Sequence, residues 1–297
     1  MLTKMGRVRL PSDIKFSEYG ETAFMEMSAA GATANMQEDR AAFEAWALCL
    51  NAHGYEKVEL SLIGTVETDN LHYQRFLYRA LRFTQGFNWF HLSDTLKSET
   101  ERFEKEKLSG KLLINIPVQE ADSKAYNRES QAERWLVGHP NYLNEQLGTK
   151  IERFFHQLPV GLFQDQISSN TRVFPGAAAA IDIWGLDGNT FHVVELKVGG
   201  NKSLGVLSEL FFYGCFMRDV LCRWNLYTKA ANKLNTFRGF DRLQKANVNR
   251  VVAHILTESL HPQLHSAFAE LKHCSLENLK FENYKQDKTL STNISAT

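Results

Sequence analysis

Hydrophobic and polar positions along this chain change period several times, and each change marks an element. From Met36, "MQEDRAAFEAWALCLNAHG" sets apolar residues at helical spacing and stops at Gly54, which predicts an amphipathic helix. "KVELSLIG" then alternates at period two, as a half-buried strand does. "NLHYQRFLYRALRFTQG" returns to helical spacing, "FNWFHL" reads as a short strand, and "SDTLKSETERFEKEK" as a charged helix with Ser93 as its N-cap. "GKLLINIPV" closes this first unit as a strand. Residues 1 to about 36 hold no period, so they are expected to be irregular, with "MSAAGATAN" as a mobile segment.

The polar run "QEADSKAYNRES" interrupts the pattern and places a domain boundary near residue 122. Beyond it, "ESQAERWLVGHP" predicts a helix ended by the His139-Pro140 step, "NYLNEQLG" a short second helix, and "LPVGLFQ" a short strand. "AAAAIDIWG" and "FHVVELKV" predict two strands joined by the turn signal "LDGN". "LGVLSELFFYGCFMRDVLC", residues 204–222, is apolar on most sides but carries Glu209, Arg218 and Asp219. That predicts a buried helix rather than a membrane span. A basic helical stretch to about Arg242, the strand "RVVAHILTE", the helix "PQLHSAFAELKHC" and the strand "ENLKFENY" complete the pattern. The expected architecture is α/β: an N-terminal α/β domain over residues 1–122, a second α/β domain over 123–285, and a tail, 286–297, with no core-forming pattern.

Composition adds limits. Lys plus Arg equals Asp plus Glu at 34 each, so no overall field steers the chain toward nucleic acid or a membrane surface. Any such role must be local. Residues 218–250 supply one candidate: Arg218, Arg223, Lys229, Lys233, Arg238, Arg242, Lys245 and Arg250 stand against only Asp219 and Asp241, with Trp224, Tyr227, Phe237 and Phe240 interleaved. That mixture suits phosphate contact with base stacking; a solvated helical surface is the plain alternative. The cysteines, Cys49, Cys215, Cys222 and Cys274, form no C-x-x-C pair, which argues against a zinc site and fits a reducing, cytoplasmic location. The opening "MLTKMGRVRLPSD" has no signal-peptide core.

The candidate chemistry sits in "FHVVELKVGGN". Alternation puts Glu195 and Lys197 on one face of the strand, with Val194 and Leu196 on the other. Asp182 lies in the preceding strand. A turn centred on Gly188-Asn189 sets Asp182 directly opposite Glu195; one centred on Asp187-Gly188 sets it on the diagonal. Two carboxylates that close repel unless a cation joins them, and hard oxygen donors suit Mg²⁺. Lys197 is placed to orient a water or to meet developing negative charge. A wet strand face carrying a surface ion pair is the plain alternative. In the Gly-rich turn that follows, Lys202 lies near the expected cleft mouth.

Asp182 followed by Glu195-Leu196-Lys197 on the next strand resembles the PD-(D/E)XK nuclease superfamily, over roughly residues 123–285. An upstream helix carries Glu129 and Glu133, in a context similar to that of NucS-type predicted nucleases. A downstream helix carries Glu209 and Tyr213, four apart, where the superfamily often has Gln-x-x-x-Tyr. Glutamate there leaves two roles open: joining the metal shell, or pairing with Lys197. Ile181 stands where the family's proline precedes the aspartate, and Pro175 lies further upstream.

The resemblance implies a restriction-endonuclease-like core, a mixed sheet flanked by helices. It also implies Mg²⁺- or Mn²⁺-dependent hydrolysis of DNA phosphodiester bonds. Asp182, Glu195 and the Leu196 carbonyl would hold the metal, Lys197 would position the attacking water, and Glu133 would complete the acidic cluster. Glu209 and Tyr213 would support them, with Lys202, Arg218, Arg223, Lys229 and Lys233 as nucleic-acid contacts. The expected partners are DNA and a second copy of the chain, with no membrane. Two other readings stay open: a nuclease fold that binds nucleic acid or assembles without cutting, and a role dominated by the N-terminal unit through "FNWFHL".

Overall fold

The protein is described here from a computed structural model covering residues 3–5, 10–115, 117, 128–175, 179–198, 203–229, 236–258 and 263–287. It is a mixed α/β fold. The chain opens with a hairpin, β1 (Ile14–Tyr19) and β2 (Thr22–Ser28), turning at Gly20 with φ +57°. A short helix α1 (Ala29–Ala32), α2 (Phe43–Ala52), β3 (Lys57–Ile63), α3 (Leu71–Gly86), β4 (Phe90–Leu92), α4 (Asp94–Lys107) and β5 (Leu112–Ile114) follow. Then come α5 (Arg128–Gly138), α6 (Pro140–Leu147), β6 (Phe154–Pro159), β7 (Leu162–Gln164), β8 (Ala180–Asp187), β9 (Thr190–Lys197) and α7 (Gly205–Arg218). A π-helical turn, Asp219–Arg223, leads to α8 (Leu226–Lys229), α9 (Phe240–Lys245), β10 (Arg250–Thr257), α10 (Leu264–Leu271) and β11 (Leu279–Gln286).

Local chemistry sets many of these boundaries. The Asn70 side chain accepts from the amides of His72 and Tyr73 at 3.0 and 3.1 Å, capping α3, and Ser93 caps α4 through the Leu96 amide. Pro140 sits at the first turn of α6, and Gly148 ends that helix in the left-handed region.

Two expectations for the N-terminal region need correction. Residues 14–28 form a regular hairpin rather than an irregular segment, and the stretch expected to be mobile holds the end of β2 and α1, capped by Ser28. The alternation in "IKFSEY" and "TAFMEM" is real but too short to stand out. The helix expected from Met36 begins only at Phe43, because the preceding residues are drawn into tertiary bonds: Asp39 accepts from Ser203 and Leu204, and the Ala41 carbonyl accepts from Arg79.

Among the described residues there are three sheets. The first has the order β1-β2-β3-β4, antiparallel at β1-β2 and parallel beyond. The second has the order β11-β10-β9-β8-β6; β6-β8-β9 is an antiparallel meander, and β10 and β11 extend it in parallel. α7 lies in the connection between the parallel neighbours β9 and β10. β9 is covered on both faces. Val193 belongs to the same hydrophobic cluster as Leu207, Leu210 and Phe211 of α7, whereas Val194 and Leu196 belong to a second one with Ala132 and Leu136 of α5 and Leu143 and Leu147 of α6.

The third sheet is the ladder β5-β7. β5 was expected to close the first unit, but it pairs with Leu162–Gln164 instead. The boundary placed near residue 122 lies outside the described residues. On either side of it packing is continuous: one hydrophobic cluster runs from Met25 and Phe43 through Phe83 and Phe211 to Phe281. The aromatics of "FNWFHL" belong to that cluster, with Phe83 and Phe90 centroids 4.6 Å apart and edge to face. No helix among the described residues is long and apolar enough to cross a membrane.

Buried ion pairs join the segments. Arg79 of α3 grips both carboxylate oxygens of Glu44 in α2, and Ser208 of α7 donates to the same carboxylate at 2.8 Å. Asp219 accepts from Arg82 at 2.7 Å and from Tyr78 at 2.9 Å, and also from Arg218 and Arg223. Asp219→Ala strips four donors of their acceptor and leaves Arg82 largely buried. It should cost roughly 3–5 kcal/mol in urea unfolding, against less than about 1 kcal/mol for Arg223→Ala, whose partner is the same but whose side chain is exposed. Equal losses from the two variants would refute this account of Asp219.

Candidate functional site

The β8-β9 register pairs Ile183 with Val194 and Asp187 with Thr190, so the turn is centred on Gly188-Asn189, with Gly188 at φ +56°. That is the first of the two registers the sequence left open, and it brings Asp182 level with Glu195. Asp182 Oδ2 accepts from the Leu196 amide at 2.9 Å, fixing the carboxylate against β9. Lys197 Nζ lies 2.6 Å from Glu195 Oε1, 3.2 Å from Glu209 Oε2 and 3.7 Å from Glu129 Oε1. Of the two roles open to Glu209, it pairs with Lys197; Tyr213 Oη lies 3.5 Å from Glu209 Oε1.

A cleft of about 670 Å³ is lined by Glu129, Glu133, Asp182, Lys197, Glu209 and Tyr213 among others, while Glu195 is buried against Lys197 and does not itself line it. Its electrostatics follow from burial. Glu195 is 1% exposed, and burial, reinforced by Asp182 and Glu209, pushes its carboxyl well above the usual range. Asp182 is pushed up for the same reason, although the Lys197 charge works against the rise. Burial opposes the charge on Lys197, but Glu195, Glu209, Asp182 and Glu129 together hold its pKa raised. It is therefore an ammonium at neutral pH. Burial lifts Tyr213 as well, helped by Glu209 and Glu195.

Glu133 reaches the cleft from α5 and accepts from Gln157 Nε2 at 2.7 Å. Burial raises its pKa to about 7, the Gln157 bond opposing. His156 beside it is lowered to about 4 by burial and by the charges of Arg238 and Arg134.

The N-terminal half supplies a wall that sequence reasoning did not place at the site. Asn35, Gln37, His72 and Arg75 line the cleft, and Gln37 Nε2 donates to Glu209 Oε1. The segment is clamped onto the start of α7. Ser203 Oγ donates to the Gln37 carbonyl at 3.0 Å, and Asp39 accepts from the Leu204 amide at 2.9 Å, supplying a cap that Leu204 itself cannot. Gly205 permits this approach: a Cβ there would stand 2.1 Å from the Gln37 carbonyl oxygen. A glutamine thus reaches the site from position 37. No signal in the sequence marks it, because its partner lies 172 residues away.

The basic candidates divide. Arg218 is held by the Glu277 carbonyl and Asp219, and Arg223 by Asp219; neither lines the cleft. Lys229 closes α8, while Lys202 and Lys233 lie outside the described residues. Arg134 and Arg238 line the cleft instead, the latter donating to the Gln157 carbonyl at 3.0 Å.

The donors suit a hard divalent cation in type, since they are carboxylates, and Glu195 Oε2 is buried without a hydrogen-bond partner. Among the described residues no three His, Cys, Asp or Glu side chains are arranged to hold an ion together. The set expected from the sequence, two carboxylates and the Leu196 carbonyl, needs only two. Compared with protein-family models, with curated proteins and with solved structures, the chain matches none.

Glu133 gives a test of the buried carboxylate cluster. A rise from the ordinary 4.5 to about 7 means the folded chain keeps a proton that the unfolded chain releases. Stability from this group is full below pH 4.5 and is lost as pH rises to 7, by about 3 kcal/mol in all. Glu133→Gln should match the parent near pH 4 and exceed it above pH 7, measured by urea unfolding in EDTA. A gap between the two that does not change with pH contradicts this assignment.

Proposed function

We propose that this protein is a metal-dependent nuclease that hydrolyses phosphodiester bonds of DNA, using Mg²⁺ or Mn²⁺. One observation carries the reading. Asp182 and Lys197, of the PD-(D/E)XK resemblance, line one cleft with Glu133 from the preceding helix and Glu209 from the following one, and the third residue of the pattern, Glu195, lies buried against Lys197. The mixed five-stranded sheet with helices on both faces supports a restriction-endonuclease-like core.

Asp182 and Glu195, with the Leu196 carbonyl, would hold the cation. When bound, Mg²⁺ supplies Lewis acidity toward a phosphoryl oxygen and eases deprotonation of water. Lys197 directs an ammonium into the cleft, where it orients a nucleophilic water and offsets negative charge building on the phosphate. Glu133, ionising near pH 7, extends the acidic floor. Gln37 and Tyr213 steady Glu209, which in turn holds Lys197.

A second reading has its own support. Lys197 is tied to Glu195 and Glu209, and an acid stands where the family often has glutamine, so the cleft also suits a fold that binds nucleic acid without cutting it. Incubation of plasmid and oligonucleotide DNA with Mg²⁺ or Mn²⁺ separates the two. We expect nicking by the parent chain, a loss of at least about 100-fold in Lys197→Ala and Asp182→Ala, and unchanged far-UV circular dichroism in both. Cleavage by both variants at the parent rate excludes the mechanism. DNA binding with no cleavage under any metal selects the second reading.

A further inference from the structure

Three arginines of α3, Arg75, Arg79 and Arg82, follow one another at helical spacing, and none is more than 5% exposed. Two of them have buried carboxylate partners, Glu44 for Arg79 and Asp219 for Arg82. Arg75 has none. Its Nη2 meets His72 Nδ1 at 3.2 Å, and its guanidinium lies 6.0 Å from the centroid of the Phe212 ring. Among the described residues no carboxylate stands within ion-pairing distance of it. A guanidinium carries five N–H donors, and His72 takes one.

A buried cation without a counter-ion is costly, and this helix pairs its other two. Burial, with Arg79 close by, lowers the Arg75 pKa to about 10 although Tyr213, Glu209 and Glu44 act against the fall from longer range, and Arg75 is still charged at neutral pH. His72 is held neutral, by burial first and by the Arg75 charge second, so Nδ1 can accept from Arg75. Arg75 also lines the cleft that holds Asp182, Lys197 and Glu209. The missing counter-ion therefore has a route in, and a planar fork of N–H donors matches the oxygens of a phosphate.

We propose that Arg75, oriented by His72, is a phosphate-holding residue through which the N-terminal half clasps one backbone phosphate of a DNA strand lying in the cleft. The inference rests on the reading of the cleft as a phosphodiester site and adds a second wall to it. The strand is then held between α3 on one side and the β8-β9 hairpin on the other.

The test compares the full chain with Arg75→Met in EDTA, where no cutting interferes. One probe is a short fluorescein-labelled single-stranded DNA, titrated by anisotropy over a salt series. The other is inorganic phosphate, read as a shift in thermal unfolding against chloride of equal ionic strength. Arg75→Met should weaken DNA binding by about 10-fold and flatten the salt dependence by about one phosphate contact. Without ligand it should be at least as stable as the parent, since it removes a charge that nothing pairs; Arg79→Met, which breaks a pair, should be much less stable.

Unchanged DNA affinity and salt slope in Arg75→Met overturn the proposal, as does a parent chain that binds no DNA. A loss of stability matching that of Arg79→Met also overturns it, because Arg75 would then be a structural residue. Stabilisation by inorganic phosphate that needs Arg75, with DNA binding that does not, assigns the site to free phosphate and overturns the DNA clamp. A parent chain that never cuts DNA with metal but binds it through Arg75 removes the hydrolytic reading alone. Cutting by the parent alongside Arg75-independent binding removes this one alone.

Discussion

A charged group taken out of water costs several kcal/mol unless a counter-charge or a set of donors meets it, and this core buries many. Glu44, Arg79, Arg82, Glu195, Glu209 and Asp219 are all within 2% of complete burial. Apart from the Lys197–Glu195 contact within β9, the buried pairs join residues from different elements. Arg79 ties α3 to α2, Arg82 ties α3 to the π-helical turn after α7, and Ser208 joins α7 to the same Glu44. Hydrophobic burial supplies the driving force, but it has no direction. The buried charges supply direction, because each is satisfied in only one arrangement of the helices.

The same constraint shapes the cleft. Burial, reinforced by neighbouring carboxylates, pushes Asp182 and Glu195 toward their protonated forms, while Glu195, Glu209 and Asp182 hold Lys197 charged. Glu195 keeps one buried oxygen without a donor. At another wall of the cleft Arg75 bonds to His72 and, among the described residues, has no carboxylate in ion-pairing distance. The two unmet needs are of opposite sign, as a ligand carrying both a cation and an anion would require.

The N-terminal half belongs to this arrangement. Its sheet is separate from the β6-β8-β9-β10-β11 sheet, yet Gln37 and Asp39 dock on the start of α7, Arg75 faces the cleft, and β5 pairs with β7. Gly205 is the position where this docking is tightest, since any side chain would collide with the Gln37 backbone.

Local sequence fixed the β8-β9 hairpin, the shared face of Glu195 and Lys197, and the helices carrying Glu133 and Glu209. Each of these depends on side-chain period and turn chemistry within about ten residues. Even the register of Asp182 came down to two choices set by one turn. The short alternation of β1-β2 was legible in principle, but it was masked by the small residues that follow. Tertiary structure alone decided which partner each charge would find: Glu209 with Lys197 and Gln37, Arg218 with Asp219 rather than with the cleft, Arg75 with His72. The reason is physical. Periodicity says which way a side chain points along its own element, whereas an ion pair depends on two elements meeting, and here the partners often lie more than a hundred residues apart.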